Sequence, residues 1–204
     1  MKKILILDFD GTIIDSNYVK QIALVNFISE KYSVDILKKI NSFELQKLTR
    51  YELISLAKNS YILNYEKEII DDYINNQVIK SNIDPSIFKV FKYCSKKKIK
   101  IFLVSNTPNK SLENIVNNLN IRHYFNKVIG KKEGKNKSTI FSEICLNEGV
   151  KSKEILSVGD NLDDYFASKI NNIPFHGIYN HTLLTLKGKI PISYSLEGIF
   201  KSLK

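Results

Sequence analysis

The stretch "ILILDFDGTIIDS", residues 4–16, decides how the rest of the chain is read. Ile4 to Leu7 are four aliphatic residues in a row, a run too short for a helix and of the kind that fills a strand buried on both faces. It breaks at Asp8-Phe9-Asp10-Gly11, where Asp-Gly is a turn signal. Two carboxylates one residue apart repel each other unless something positive lies between them. A chain that sets Asp8 and Asp10 at a strand end therefore offers them to a metal, a proton or a helix N-terminus.

Working outward, similar apolar runs recur at 100–104, 127–129, 155–158 and 174–178, separated by segments with helical spacing such as 110–119 and 138–148. Strands alternating with helices of that length predict an α/β fold, a parallel sheet with helices on both faces. One region breaks the alternation. Between residues 16 and 82 only helical patterns occur, at 18–32, 36–48, 51–58 and 66–80. So long a connection after a first strand reads as an inserted helical lid. Asp84-Pro85 marks the return, because proline favours the first turn of a new helix. The division predicted is 1–15 with 83–204 for the sheet part and 16–82 for the helical insertion.

At 204 residues the chain is long enough to bury roughly 70% of its unfolded surface. Its net charge of +10 would attract polyanions whatever the fold. The basic residues are nearly all lysine, however, and only Arg50 and Arg122 carry the planar fork that suits phosphate and base edges, so no dedicated nucleic-acid role is expected. Cys94 and Cys145 are the only cysteines, too few for a disulfide framework or a structural zinc site. No uninterrupted apolar run reaches about 18 residues, and the N-terminus shows no small-residue cleavage site. The expectation is a soluble cytoplasmic protein with no membrane partner.

In a parallel sheet, ligands bind beyond the carboxyl ends of the strands, so those ends carry the functional reading. The first run ends in Asp8-Phe9-Asp10-Gly11-Thr12, the second in Ser105-Asn106-Thr107, and the fourth in Gly159-Asp160-Asn161-Leu162-Asp163-Asp164; a lysine-rich loop, 131–137, follows the third. Taken singly, each has a bland explanation as a turn, a helix cap or an acidic helix N-terminus. Coincidence at successive strand ends is a much poorer explanation.

On these residues the sequence resembles the haloacid dehalogenase-like hydrolase superfamily, specifically its phosphatases with a helical cap between the first two motifs. The resemblance rests on DFDGT at 8–12, the strand ending in Ser105-Asn106, a lysine before a helix, and GDNLDD at 159–164. It implies a Rossmann-like core with the helical insertion as cap, and Mg²⁺-dependent hydrolysis of a small phosphorylated metabolite. Asp8 would bind the metal through one oxygen and attack with the other, forming an aspartyl-phosphate, and Asp10 would be the acid and base, also giving its backbone carbonyl to the metal. Asp160 would be a metal ligand, and Asp164 a water-mediated ligand or a support. Gly11 would let the backbone approach the phosphate, while Ser105 and Asn106 would donate to its oxygens. The chemistry is coherent, since a carboxylate attacks phosphorus only when the phosphoryl charge is screened by a cation and hydrogen-bond donors, and Mg²⁺ takes oxygen ligands.

The lysine departs from the family pattern. Lys135 falls where a Lys-Pro pair is expected, but Asn136 stands in place of the proline, and Lys137 fits the variant in which lysine directly precedes the helix. Either can be the phosphate-binding residue, with Lys137 favoured. The superfamily's phosphomutases share the same residues, and a non-catalytic regulatory domain is the rival from another class. A haloalkanoate dehalogenase is disfavoured, because that branch needs no metal and no second aspartate. His123, His176 and His181 lack metal-site spacing, and Tyr18, Phe27, Tyr51 and Tyr61 read as helix core.

Overall fold

Strand β1 (Ile4–Leu7) is buried along its whole length, and this follows from its having apolar side chains on both faces of the pleat. In the computed structural model, which describes residues 2–39 and 48–204, β1 pairs in parallel with β2 (Lys100–Pro108) on one side and β4 (Ile155–Gly159) on the other. Ile4 faces Lys100 in the first pairing and Ile155 in the second. Strand β3 (Lys127–Lys131) adds to β2, β5 (Phe175–Ile178) to β4, and β6 (Ile192–Ser193) to β5. The result is a six-stranded parallel sheet in the order β3-β2-β1-β4-β5-β6.

By its internal contacts the chain falls into two units, residues 1–15 with 82–204, and residues 16–81. The second is helical, with α1 (Ser16–Tyr32), the short α2 (Ile36–Lys39), α3 (Arg50–Lys58) and α4 (Asn64–Ile79). Of the helix expected over 36–48, residues 40–47 lie outside those described. Ala23, Leu24, Phe27 and Ile28 form one stripe of α1 and pack with Ile36, Leu53, Ile54, Ala57, Ile70 and Ile74. Thr49 and Glu52 close a capping box at the start of α3, and Arg50 and Tyr51 both donate to Asp71 on α4, at 2.8 and 2.9 Å. Of the aromatics expected in the helix core, Phe27 is buried, whereas Tyr18 and Tyr61 are exposed. Both lie off the apolar stripe that holds this unit together.

In the sheet unit the helices are α5 (Ser86–Lys97), α6 (Asn109–Asn118), α7 (Lys137–Glu148) and α8 (Leu162–Ile170). Ile4 and Ile6 of β1, with Phe102, Val104 and Ile155, pack under Ile140, Phe141 and Ile144 of α7 and Ala167 of α8. Strand β2 runs to Pro108, with its pairing to β3 irregular beyond Val104, so Ser105, Asn106 and Thr107 are extended residues at the sheet's end. Strand β6 has no apolar run to announce it. It is held by backbone bonds from Gly177 to Pro191 (2.9 Å) and from Tyr179 to Ser193 (2.8 Å). Among the described residues no helix is long and apolar enough to cross a membrane.

Candidate active site

The end of β1 delivers Asp8, whose amide donates to the Val158 carbonyl at 2.9 Å and so ties it to β4. The chain then folds back on itself: the amides of Thr12 and Ile13 donate to the Phe9 carbonyl at 3.3 and 3.0 Å, and that of Gly11 to Ile14 at 2.8 Å. Gly11 has a φ of +76°, a left-handed conformation that glycine adopts without steric cost. Strand β4 ends in Asp160, and the first turn of α8 brings Asp164 back over Gly159. A Cβ on Gly159 would lie 2.4 Å from the Asp164 carboxyl carbon, so the absence of a side chain there makes room for the carboxylate.

Helix α7 supplies the cation. Asn136 caps it by accepting from the Thr139 amide at 2.9 Å, and Lys137, the first residue of the helix, extends inward. Its Nζ donates to Asp8 Oδ1 and to Asp164 Oδ1, both at 2.6 Å. Asp8, Asp160 and Asp164 each present a carboxylate oxygen within 4.8 Å of the other two. All three are buried, as is Lys137.

Burial and crowding govern the protonation of this cluster. Burial first, and then the neighbouring Asp164 charge, push the Asp8 carboxyl up to about 7, against the pull of Lys137. Burial and the Asp8 charge push Asp160 up to about 6. Asp164 is also raised, mainly by burial, with Lys137 opposing. For Lys137, burial works against the ammonium, but the two carboxylates it touches outweigh burial and hold its pKa above the ordinary lysine value. The cluster therefore sets three buried carboxylates against one buried ammonium, and Asp164 Oδ2 is buried without a hydrogen-bond partner. An excess of negative charge with a spare oxygen suits a divalent cation that prefers oxygen donors.

Asp10 is held apart from that cluster. Thr107 Oγ1 donates to Asp10 Oδ2 at 2.8 Å and Ser105 Oγ lies 3.4 Å from the same oxygen, while Ser105 Oγ accepts from the Thr107 amide at 3.0 Å. On the opposite side, Asn180 Nδ2 donates to Asp160 Oδ2 at 2.8 Å and Thr182 Oγ1 to the Asp160 carbonyl at 3.4 Å.

Asp8, Asp10, Ser105, Lys137, Asp160 and Asp164 are thus brought together at the carboxyl ends of β1, β2 and β4. Asn106 points its side chain to Asp163 at 3.5 Å and is exposed. Lys135 lies on the surface, paired with Glu143 of α7, so of the two lysines only Lys137 joins the acidic cluster. A helix starting at Lys137 aims its first residue at the strand ends, whereas Lys135 still belongs to the preceding turn. Thr107, Asn180 and Thr182 had no role in the sequence reading. Thr107 sits within an inspected strand end, and Asn180 lies beyond β5, where the same inspection would have found it.

The sequence profile of the haloacid dehalogenase-like hydrolases matches residues 5–178, and the chain belongs to this family. Solved structures share the fold over nearly their whole length. A predicted phosphoglycolate phosphatase from Haemophilus somnus 129pt is 18% identical with a TM-score of 0.75, covering 100% of this chain and 98% of that one. A protein proposed to be a beta-phosphoglucomutase from Thermotoga maritima is 16% identical with a TM-score of 0.77, covering 100% and 98%. CbbY from Rhodobacter sphaeroides, solved in complex with phosphate, is 14% identical with a TM-score of 0.71, covering 97% and 99%. No curated protein matches the sequence.

Proposed function

We propose that the chain is a Mg²⁺-dependent phosphatase that hydrolyses a small phosphate monoester through an aspartyl-phosphate on Asp8. The observation that carries this reading is the unequal charge at the strand ends, three buried carboxylates against Lys137 alone, with a fourth carboxylate, Asp10, tethered separately by Thr107. Asp8, Asp160 and Asp164 would hold the ion, together with the Asp10 backbone carbonyl. Mg²⁺ bound there would screen the phosphoryl charge from the attacking carboxylate.

The chain's own residues supply the remainder. Lys137, fixed by Asp8 and Asp164, orients the Asp8 carboxylate and adds a positive charge beside the incoming phosphoryl group. An Asp8 oxygen attacks phosphorus, the bond to the leaving oxygen breaks, and the Asp10 carboxyl gives that oxygen its proton. Asp10, now a carboxylate, takes a proton from water; the hydroxide equivalent attacks phosphorus, the Asp8–phosphoryl bond breaks and inorganic phosphate leaves. Gly11 would let the backbone approach the phosphoryl group and Ser105 would donate to its oxygens, with the Asn106 amide assisting. The helical unit, which contributes none of these groups, serves as the cap that selects the leaving group. Phosphate bound to the CbbY relative agrees with this substrate class.

The test is release of inorganic phosphate from an aryl phosphate. Turnover that requires Mg²⁺ and stops with chelator is expected; undiminished turnover in chelator would overturn the metal assignment. Transfer of the phosphoryl group to a sugar hydroxyl, without free phosphate, would reassign the chain to the phosphomutases.

A further inference from the structure

Two carboxylates of the cluster have an oxygen taken by a neutral side chain: Thr12 Oγ1 donates to Asp8 Oδ2 at 3.4 Å, and Asp160 is held by an amide at shorter range. Asn180 Nδ2 donates to Asp160 Oδ2 at 2.8 Å. The orientation of that amide is settled by its other end. Asn180 Oδ1 accepts from the Thr182 amide at 3.2 Å, capping the 3-10 turn His181–Leu186. With Oδ1 committed as acceptor, Nδ2 is the atom that faces Asp160. The Thr182 hydroxyl also lies 3.4 Å from the Asp160 carbonyl, so backbone and carboxylate of Asp160 are both fastened to the loop after β5.

We infer that Asn180 is a positioning residue that makes Asp160 a one-oxygen ligand and thereby biases the site toward Mg²⁺ over Ca²⁺. This rests on the metal site proposed above. The reason lies in the two ions' demands. Mg²⁺ requires six near-ideal positions and keeps several waters, so it is served by carboxylates that offer one oxygen each; Ca²⁺ takes more ligands and accepts both oxygens of one carboxylate. A donor fixed on Oδ2 leaves Oδ1 for the ion. It also keeps the carboxylate from rotating to chelate, as hydrogen-bonding partners behind metal ligands commonly do. Asparagine meets both demands at once, because its oxygen caps the turn while its nitrogen restrains the carboxylate. Aspartate in its place would set a further negative charge against Asp160.

The test uses Asn180→Ser, since serine still caps the turn but is too short to reach Asp160. Metal-stripped wild type, Asn180→Ser and Asp160→Asn are titrated with Mg²⁺ and separately with Ca²⁺, following thermal stabilisation of the metal-free protein, and turnover is measured alongside. For Asn180→Ser we expect Mg²⁺ affinity to fall about 10-fold or more, the range seen when such a supporting partner is removed. Ca²⁺ affinity should change much less, so that the ratio of the two shifts. Equal weakening of both ions, or no change in either, overturns the inference while leaving the metal site standing. If Asp160→Asn binds Mg²⁺ as tightly as wild type, the metal site itself is wrong and the inference falls with it.

Discussion

Asp8 and Asp10 differ in what surrounds them, and in the proposed mechanism the same side chain would take two tasks. Asp8 is locked by Lys137 inside the acidic cluster, while Asp10 accepts from the hydroxyls of Thr107 at 2.8 Å and Ser105 at 3.4 Å. Asp8→Asn should abolish the covalent intermediate, whereas Asp10→Asn should slow turnover by about 10² to 10⁴ fold, the usual worth of a general acid-base group. Mass spectrometry of the intact protein after acid quench should find a phosphoryl adduct on Asp10→Asn and none on Asp8→Asn; an adduct on the latter would move the nucleophile elsewhere. The lysines separate in the same way. Lys137→Ala leaves Asp8 and Asp164 buried without their cation and should cost about 3–5 kcal/mol of stability as well as activity. Lys135→Ala breaks an exposed pair and should cost under about 1 kcal/mol. Urea unfolding together with turnover ranks the two, and the reverse order would return the role to Lys135. The sequence favours Lys137 without excluding Lys135, because the two lysines are two positions apart and the exact start of α7 decides which one is aimed inward.

The long elements were legible where a run of apolar residues had no other explanation. β1 and β4, each buried throughout, and α1, whose apolar residues recur at helical spacing, are of this kind. β6 was not legible, because two residues held by backbone bonds and side-chain hydroxyls carry no pattern. Its neighbourhood is organised by His176 on β5. Ser193 Oγ donates to the Ser195 carbonyl at 2.8 Å, so it accepts from His176 Nε2 at 2.9 Å, which leaves Nδ1 to accept from Ser202 at 2.8 Å. Gly198 permits this closeness, since a Cβ there would lie 2.3 Å from the Ser193 Cβ. Burial lowers the pKa of His176 below its ordinary 6.5. The unfolded chain therefore binds more protons than the native one as pH falls through that value, and the contribution of His176 to stability is lost on acidification. The drop in urea midpoint between about pH 7 and pH 5 should be smaller in His176→Gln than in wild type; equal drops would show that the ring is not protonated on unfolding. Gly159→Ala tests another close approach. Its methyl would displace the Asp164 carboxylate, so Mg²⁺ stabilisation should be lost more completely than metal-free stability.

For the molecule as a whole, the proposed metal site would link metal, protons and folding. With Asp8 and Asp160 raised to about 7 and about 6, Mg²⁺ bound as proposed would have to displace protons from them. Apparent Mg²⁺ affinity should therefore strengthen by about tenfold per pH unit for each proton displaced, as pH rises from about 5.5 toward 7. The thermal shift produced by Mg²⁺ should grow over the same range, and a shift independent of pH would show that the ion binds elsewhere. The site could be read from the sequence as a set of strand ends, but its supports could not, because Thr107 and Asn180 matter through the atoms they face rather than through any motif. The central place of β1 has a further consequence, for the protein's synthesis. Ile4 leaves the ribosome before Lys100 and Ile155, its two neighbours in the sheet. At about 5–20 residues per second the second of these follows roughly 8–30 s later. Until β2 has been made the nascent chain carries an Ile-Leu-Ile-Leu segment with neither partner, and until β4 follows it has only one of the two; chaperones that shield apolar segments would find it there.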